Sequence, residues 1–175
     1  MDPSDAELVA RVLAEDDRRA FATLVRRHQS AVRGFLRRLC AGDGARADDL
    51  AQESFLSAYR KLATYRGDGT LSAWLHRIAW NAYASEARRR PAPELPPLAE
   101  EAPLADRALA RHDLARALTS LREEERAALA LTYGEDVSHE EAARILEWPL
   151  GTLKSHVARG KEKLRRLLGA AGETP

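Results

Sequence analysis

Five of the chain's eight prolines crowd into residues 91–103, Pro-Ala-Pro-Glu-Leu-Pro-Pro-Leu-Ala-Glu-Glu-Ala-Pro. Proline has no backbone N–H to give a helix ladder, and its ring clashes with the preceding turn. No helix can run through this stretch, and it lacks the alternation of a strand. It reads as an extended, partly stiff, acidic linker over residues 91–105. On both sides apolar residues recur at helical spacing, and no segment alternates as a strand does. The expected fold is therefore all-α: two small helical domains, residues 1–90 and 106–175, joined by the Pro-rich linker.

The first lobe reads as four helices. Ser4 and Glu7 have capping-box spacing and start a helix that runs to about residue 14. A second covers about 19–39, with Phe21, Leu24, Val25, Val32, Phe35, Leu36 and Leu39 inward. Gly42 and Gly44 break the chain. A third covers about 47–62, with Leu50, Phe55, Ala58 and Leu62 inside. After the polar loop Tyr65-Arg66-Gly67-Asp68-Gly69-Thr70, a fourth covers about 71–89, with Trp74, Leu75, Ile78, Ala79 and Ala82 inward. The second lobe adds helices near 107–119 and 123–132, then a closely spaced pair at 138–168.

That pair carries chemistry. Ser138 and Glu141 repeat the capping-box spacing, and Ala142, Ala143, Ile145 and Leu146 form an apolar side. Pro149 suits a turn or a first helical position. Leu150, Leu153, Val157, Leu164 and Leu167 then make one stripe, opposite Thr152, Lys154, Ser155, His156, Arg159, Lys161, Lys163 and Arg166. Residues 151–168 hold six Lys or Arg and one acid. A basic amphipathic helix also suits a membrane surface. The cap, first helix and tight turn make this one a helix-turn-helix reader of duplex DNA. Lys154, His156 and Arg159 would then face bases or nearby phosphates, while Thr152, Ser155 and Lys161 position the helix on the backbone.

The net charge of +1 hides segregation. Residues 18–38 hold seven Arg and no acid, a face expected to be mostly solvated. Residues 43–53 hold Asp43, Asp48, Asp49 and Glu53 against one Arg, and 91–106 hold four acids and no base. The single cysteine, Cys40, excludes an intrachain disulfide and reads as a small buried residue. The five His stand singly, so no metal spacing arises and no cofactor is expected. The acidic N-terminus is no signal peptide, and no run approaches a membrane span, so a cytoplasmic protein without membrane insertion is expected. No nucleophile–base pair, shared carboxylate pocket or phosphate loop stands out, which argues against an enzyme.

The order of elements resembles the extracytoplasmic-function (ECF) sigma factors of the sigma-70 family, over nearly the whole chain. Asp48-Asp49-Leu50-Ala51-Gln52-Glu53-Ser54-Phe55 resembles that family's region 2.2, which docks on the clamp helices of RNA polymerase. Tyr65-Arg66-Gly67-Asp68 through Trp74-Leu75-His76-Arg77-Ile78-Ala79-Trp80-Asn81 resembles regions 2.3 and 2.4, which capture the −10 element. Pro149-Leu150-Gly151-Thr152-Leu153-Lys154-Ser155 resembles region 4.2, which reads the −35 element. The chain departs from the usual pattern at Leu71, where an aromatic is common, and at Trp80, in a slot often polar or basic. It departs again at His156, where Arg is frequent, and at Gly160, where Ala is usual. His156 cannot make the bidentate contact of an Arg, so the promoter sequence need not follow the family's.

The resemblance implies roles. Asp49, Gln52, Glu53, Leu56 and Tyr59, off the buried stripe of the third helix, would meet core RNA polymerase. By composition alone, Asp48 and Asp49 equally complement the helix dipole. Arg66, Gly67, Asp68, Gly69, Trp74, His76, Arg77, Asn81 and Arg88 would hold single-stranded −10 DNA. Within that set the loop could also be a plain connector, Trp74 a core residue and Arg88-Arg89-Arg90 a basic helix end. The family further implies control by an anti-sigma factor. The acidic linker residues Glu94, Glu100, Glu101 and Asp106 either mimic nucleic acid in the polymerase or serve as a tether. The alternative reading is a stand-alone helix-turn-helix regulator whose first lobe dimerises.

Overall fold

A computed structural model describes residues 2–89 and 117–170. Among these residues the chain is helical, with no strand. The linker, Arg90 and most of the helix expected near 107–119 lie outside the described residues; only its last turn, to Thr119, is seen. Among the described residues the longer helices are α1 Asp5–Glu15, α2 Arg18–Leu39, α3 Gly44–Lys61, α4 Leu71–Arg89, α5 Glu123–Leu129, α6 His139–Leu146 and α7 Leu150–Ala170.

Local side chains set the boundaries. Ser4 and Glu7 form the expected capping box: the Glu7 N–H donates to the Ser4 hydroxyl at 3.2 Å, and the Ser4 N–H to the Glu7 carboxylate at 2.7 Å. Asp16 ends α1 in the left-handed region, and Asp17 starts α2 by accepting from the N–H groups of Arg19 and Ala20. Asp43 caps α3 in the same way, accepting from the Arg46 N–H at 3.0 Å, so α3 begins earlier than expected. Ser138 caps α6 by accepting from the Glu141 N–H at 3.1 Å. The helix expected to reach residue 132 instead stops at Leu129 and runs into one wide π-turn, Ala130–Gly134.

The core is continuous through both lobes. Val32, Phe35, Leu36 and Leu39 on α2 are essentially inaccessible, packed by α1, α3 and α4 on one side and by α5 and the π-turn on the other. Each such side chain contributes about 1.5–3 kcal/mol by leaving water. Phe21, Val25 and Phe55, expected inward, are only partly covered. Tyr83, not singled out by periodicity, is fully buried. Its hydroxyl accepts from the Arg126 guanidinium at 3.1 Å, while Arg46 lies 5.1 Å from its ring centroid. Arg126 comes from α5, so this contact crosses between the lobes.

One further expectation is refined and one changes. The α2 arginines are mostly solvated, as expected, but five of the seven also have a carboxylate within reach. Arg27 binds Asp2 and Asp5, Arg33 and Arg37 approach Asp48, Arg18 approaches Asp16, and Arg38 binds Glu135 of the second lobe at 2.7 Å. On α7, Leu153 and Val157 are buried, but Leu167 is 46% exposed and leaves the expected stripe. Gly160 takes its place in the packing. A Cβ there would stand 2.7 Å from a Leu129 methyl, so the absent side chain is what lets α7 lie close on α5.

Candidate nucleic-acid and polymerase interfaces

Three surfaces carry the residues singled out above. The first is an apolar groove of about 620 Å³ between α2 and α3, lined by Phe21, Val25, Gln52, Phe55, Leu56 and Tyr59 among others. Leu56 is 59% exposed and, with the partly covered Phe21, Val25 and Phe55, leaves a contiguous apolar surface there. Tyr59 packs edge-on against Phe21 at 4.8 Å, and its hydroxyl donates to Asp16, which raises the phenol's pKa. Asp49 and Glu53 are exposed on α3 beside the groove. Asp48 turns instead toward Arg33, at 2.9 Å. The result is a mainly apolar slot whose charged lining is Arg18, Arg33 and Asp48, with Asp49 and Glu53 exposed on the same helix outside it.

The second surface is the loop after α3 and the outer face of α4. Gly67 (φ 77°) and Gly69 (φ 127°) adopt backbone conformations that side chains resist, which curls the loop tightly. The Tyr65 hydroxyl pins it by donating to the Gly69 carbonyl at 2.9 Å, and the Thr70 hydroxyl starts α4 by accepting from the Ala73 N–H at 3.1 Å. Together they enclose a polar pocket of about 470 Å³. Arg66, Asp68, Gly69, Trp74, Arg77 and Asn81 all line it. Trp74 is half-buried, 5.6 Å from Tyr65, so it is at once a core residue and a pocket wall. Gly67 shapes the loop without lining the pocket. Arg88 is exposed near the far end of α4.

His76 does not join this set. Its side chain is buried against Phe35, at 5.3 Å between rings, and one ring nitrogen bonds the Ser72 carbonyl at 2.7 Å. The other stands 3.7 Å from Glu135. Helical spacing explains the correction: His76 falls between the buried Leu75 and Ala79 and one turn before the half-buried Trp80, on the inward side of α4.

The third surface is α7. Thr152, Lys154, Ser155, Arg159 and Lys161 are exposed along it. The Ser155 hydroxyl donates to the Gly151 carbonyl at 2.9 Å, and Arg159 donates back to the Ser155 carbonyl at 3.3 Å. Lys161 sits 5.3 Å from the exposed Tyr133 ring centroid. His156 is the exception. It is half-buried with its ring centroid 5.1 Å from that of Trp148, on the inner flank of the helix rather than its outer face. Lys163, left open by the sequence, binds Glu125 at 2.7 Å.

The sequence reading missed Trp148, Glu147, Glu135 and Tyr133. An aromatic and a carboxylate at the end of α6 were the available signal for the first two. Glu135 and Tyr133 gain meaning only from the tertiary packing. Cys40 is buried, and burial pushes its thiol up to about 11. No group of His, Cys, Asp and Glu among the described residues could hold a metal ion. No described helix is long and apolar enough to cross a membrane.

Comparison with known proteins gives the lineage. Residues 24–91 match Sigma-70 region 2, and residues 111–164 match Sigma-70, region 4. The chain is 41% identical over 170 residues to the ECF RNA polymerase sigma factor SigM of Mycobacterium tuberculosis, covering 95% of this chain and 85% of that one. It is 34% identical to the RNA polymerase sigma-H factor of Pseudomonas aeruginosa, covering 94% and 93%. Among solved structures, CnrH in complex with the cytosolic domain of CnrY aligns at TM-score 0.73 and 28% identity, covering 95% and 97%. The sigma factor RpoE in complex with the anti-sigma factor NepR, from Bartonella quintana, aligns at TM-score 0.68 and 26% identity, covering 85% and 96%. Two family matches in order, and relatives alike over almost their full length, place this chain in the sigma-70 family, among the ECF RNA polymerase sigma factors.

Proposed function

We propose that the chain docks on core RNA polymerase through the α2–α3 groove, reads duplex −35 DNA with α7 and holds single-stranded −10 DNA in the loop pocket beside α4. The observation that carries this reading is the second pocket. Polar side chains, Gly69 and an aromatic wall are gathered around a space suited to one extruded base, under a loop curled by two left-handed glycines. Residues 1–90 would serve polymerase and the −10 element, residues 106–175 the −35 element, and 91–105 would join them.

Magnitudes divide the labour. Opening about ten base steps at roughly 1.4 kcal/mol each costs about 14 kcal/mol. A captured base returns about 1–3 kcal/mol. One pocket therefore selects and traps an opened base but cannot open the bubble, so the chain acts with polymerase and not alone. It contributes binding and no catalytic group of its own. Its place is the cytoplasm, where polymerase and promoters are, and an anti-sigma factor is a fitting regulator. The relatives solved in such complexes, CnrH with CnrY and RpoE with NepR, support that last point.

The stand-alone regulator reading gives the α2–α3 groove no role, and gives the loop pocket none. The test is co-elution of the purified chain with core RNA polymerase, followed by binding of fluorescent single-stranded oligonucleotides of randomised sequence. The expected result is sequence-selective capture by the complex and none by either component. A chain that binds duplex DNA tightly and ignores polymerase would refute the proposal.

A further inference from the structure

The cavity beside α4 gathers more positive charge than one captured base requires. Lys61, Arg66 and Arg77 line it from the first lobe and Arg144 of α6 from the second; its acids are Asp68 and Glu141. Arg77 is paired with Glu147. Lys61, Arg66 and Arg144 are exposed and have no carboxylate partner among the described residues. Three unpaired cations thus face one space. Each repels the others, and an anion placed between them relieves that repulsion. Two are arginines, whose planar fork of donors matches the oxygens of a phosphate.

The same cavity offers a base two contacts. Trp74 presents a half-buried ring, 5.6 Å from Tyr65 between centroids, and an aromatic face stacks a base of any identity. Asn81 brings an amide with donors and an acceptor for a base edge. The volume, about 470 Å³, falls in the roughly 300–1,000 Å³ range of small-molecule sites. A strand of DNA enters and leaves its site with phosphates running on at both ends. Here α6 adds a wall through Glu141, Arg144 and Ile145, so a ligand that ends inside the cavity fits better than a strand that crosses it.

We propose that in the free chain this cavity binds a nucleoside di- or triphosphate, its base against Trp74 and its phosphates among Lys61, Arg66 and Arg144. The base-holding side rests on the reading of the loop pocket given above. The phosphate-holding side does not, because Arg144 has no part in that reading. A nucleotide so placed touches both lobes at once, and its binding responds to the nucleotide pool of the cell.

The test is isothermal titration calorimetry of the full chain, without polymerase or DNA, at about 0.15 M salt. The probes are GTP, ATP and, as a carrier of charge without a base, inorganic triphosphate. One nucleotide should bind per chain, about tenfold more tightly than inorganic triphosphate, the difference that base stacking supplies. Arg144→Ala and Lys61→Ala, both at exposed side chains, should each weaken nucleotide binding about tenfold, while Arg60→Ala, exposed on α3 outside the cavity, should not. No saturation by about 1 mM nucleotide, equal affinity for inorganic triphosphate, or full affinity in Arg144→Ala would each overturn the site. Capture of single-stranded −10 oligonucleotides by the chain with core polymerase is measured beside it. Nucleotide binding without that capture refutes the −10 reading alone, and capture without nucleotide binding refutes the nucleotide site alone.

Discussion

Lys163→Met tests what holds the recognition helix in place. Glu125 on α5 is 2% exposed, and its carboxylate has two neighbours. Lys163 of α7 donates to its two oxygens at 3.0 and 2.7 Å, and the Arg122 N–H donates at 3.1 Å. Burial by itself would raise the Glu125 pKa; the Lys163 ammonium and the Arg122 N–H outweigh it and hold the group below the usual carboxylate range. Removing one partner of a fully buried pair costs about 3–5 kcal/mol. Lys163 is 37% exposed, so solvent already weakens the pair, and about 2 kcal/mol is the fitting expectation at pH 7.

The pH dependence has a definite sign. In the native chain Glu125 is depressed, so its contribution is full above its unfolded pKa and is lost as pH falls through the folded value. Without Lys163, burial dominates and the pKa rises. The variant's deficit is then greatest at neutral pH and shrinks as pH falls, because the variant's carboxyl takes up a proton before the native one does and its buried charge is relieved. Urea unfolding followed by circular dichroism at pH 7 and pH 4 checks this, and adding Glu125→Gln to Lys163→Met should restore much of the loss. A deficit equal at both pH values, or one under about 0.5 kcal/mol, would refute the argument that a buried charge pair joins α5 to α7.

Three other outcomes are expected. Asp49→Ala with Glu53→Ala should weaken binding to core RNA polymerase about tenfold in a fluorescence titration while leaving helicity intact, because both carboxylates are exposed and outside the core. Arg159→Ala should lower transcription from promoters that depend on their −35 element and spare polymerase affinity; an equal loss in both would mean that Arg159 is no DNA contact. Cys40, buried with its thiol pushed up to about 11, should be silent to a thiol reagent at pH 8 in the native chain and react on unfolding; fast native labelling would show that the α2 C-terminus opens readily.

Much of this fold was legible because its signals are local. α4 spans the residues that periodicity assigned to it, and the Ser4 and Ser138 caps stand where the spacing put them. Side chains that answer to a distant partner were not legible. The ion pairs of the α2 arginines were hidden because Asp48, Asp2 and Glu135 reach them only after folding. Tyr83 is bonded by Arg126 of the second lobe, a partner that no window along α4 contains. Leu167 fits the apolar period of α7 but extends past the helices that α7 packs on. For the candidate site, six of the nine residues assigned to the loop surface line one pocket, because glycines and polar groups at close spacing mark a loop locally; Gly67, His76 and Arg88 do not line it. The turn of His156 toward Trp148 was not legible, because it depends on how closely α6 and α7 pack.

A chain that gives polymerase a promoter to open is tested most directly by permanganate footprinting of unpaired thymines on a promoter library, with the chain and core RNA polymerase together and each alone. Reactivity near the −10 element of a selected subset, only when both are present, is the predicted result. Unpaired thymines produced by polymerase alone, or none with both, would contradict it.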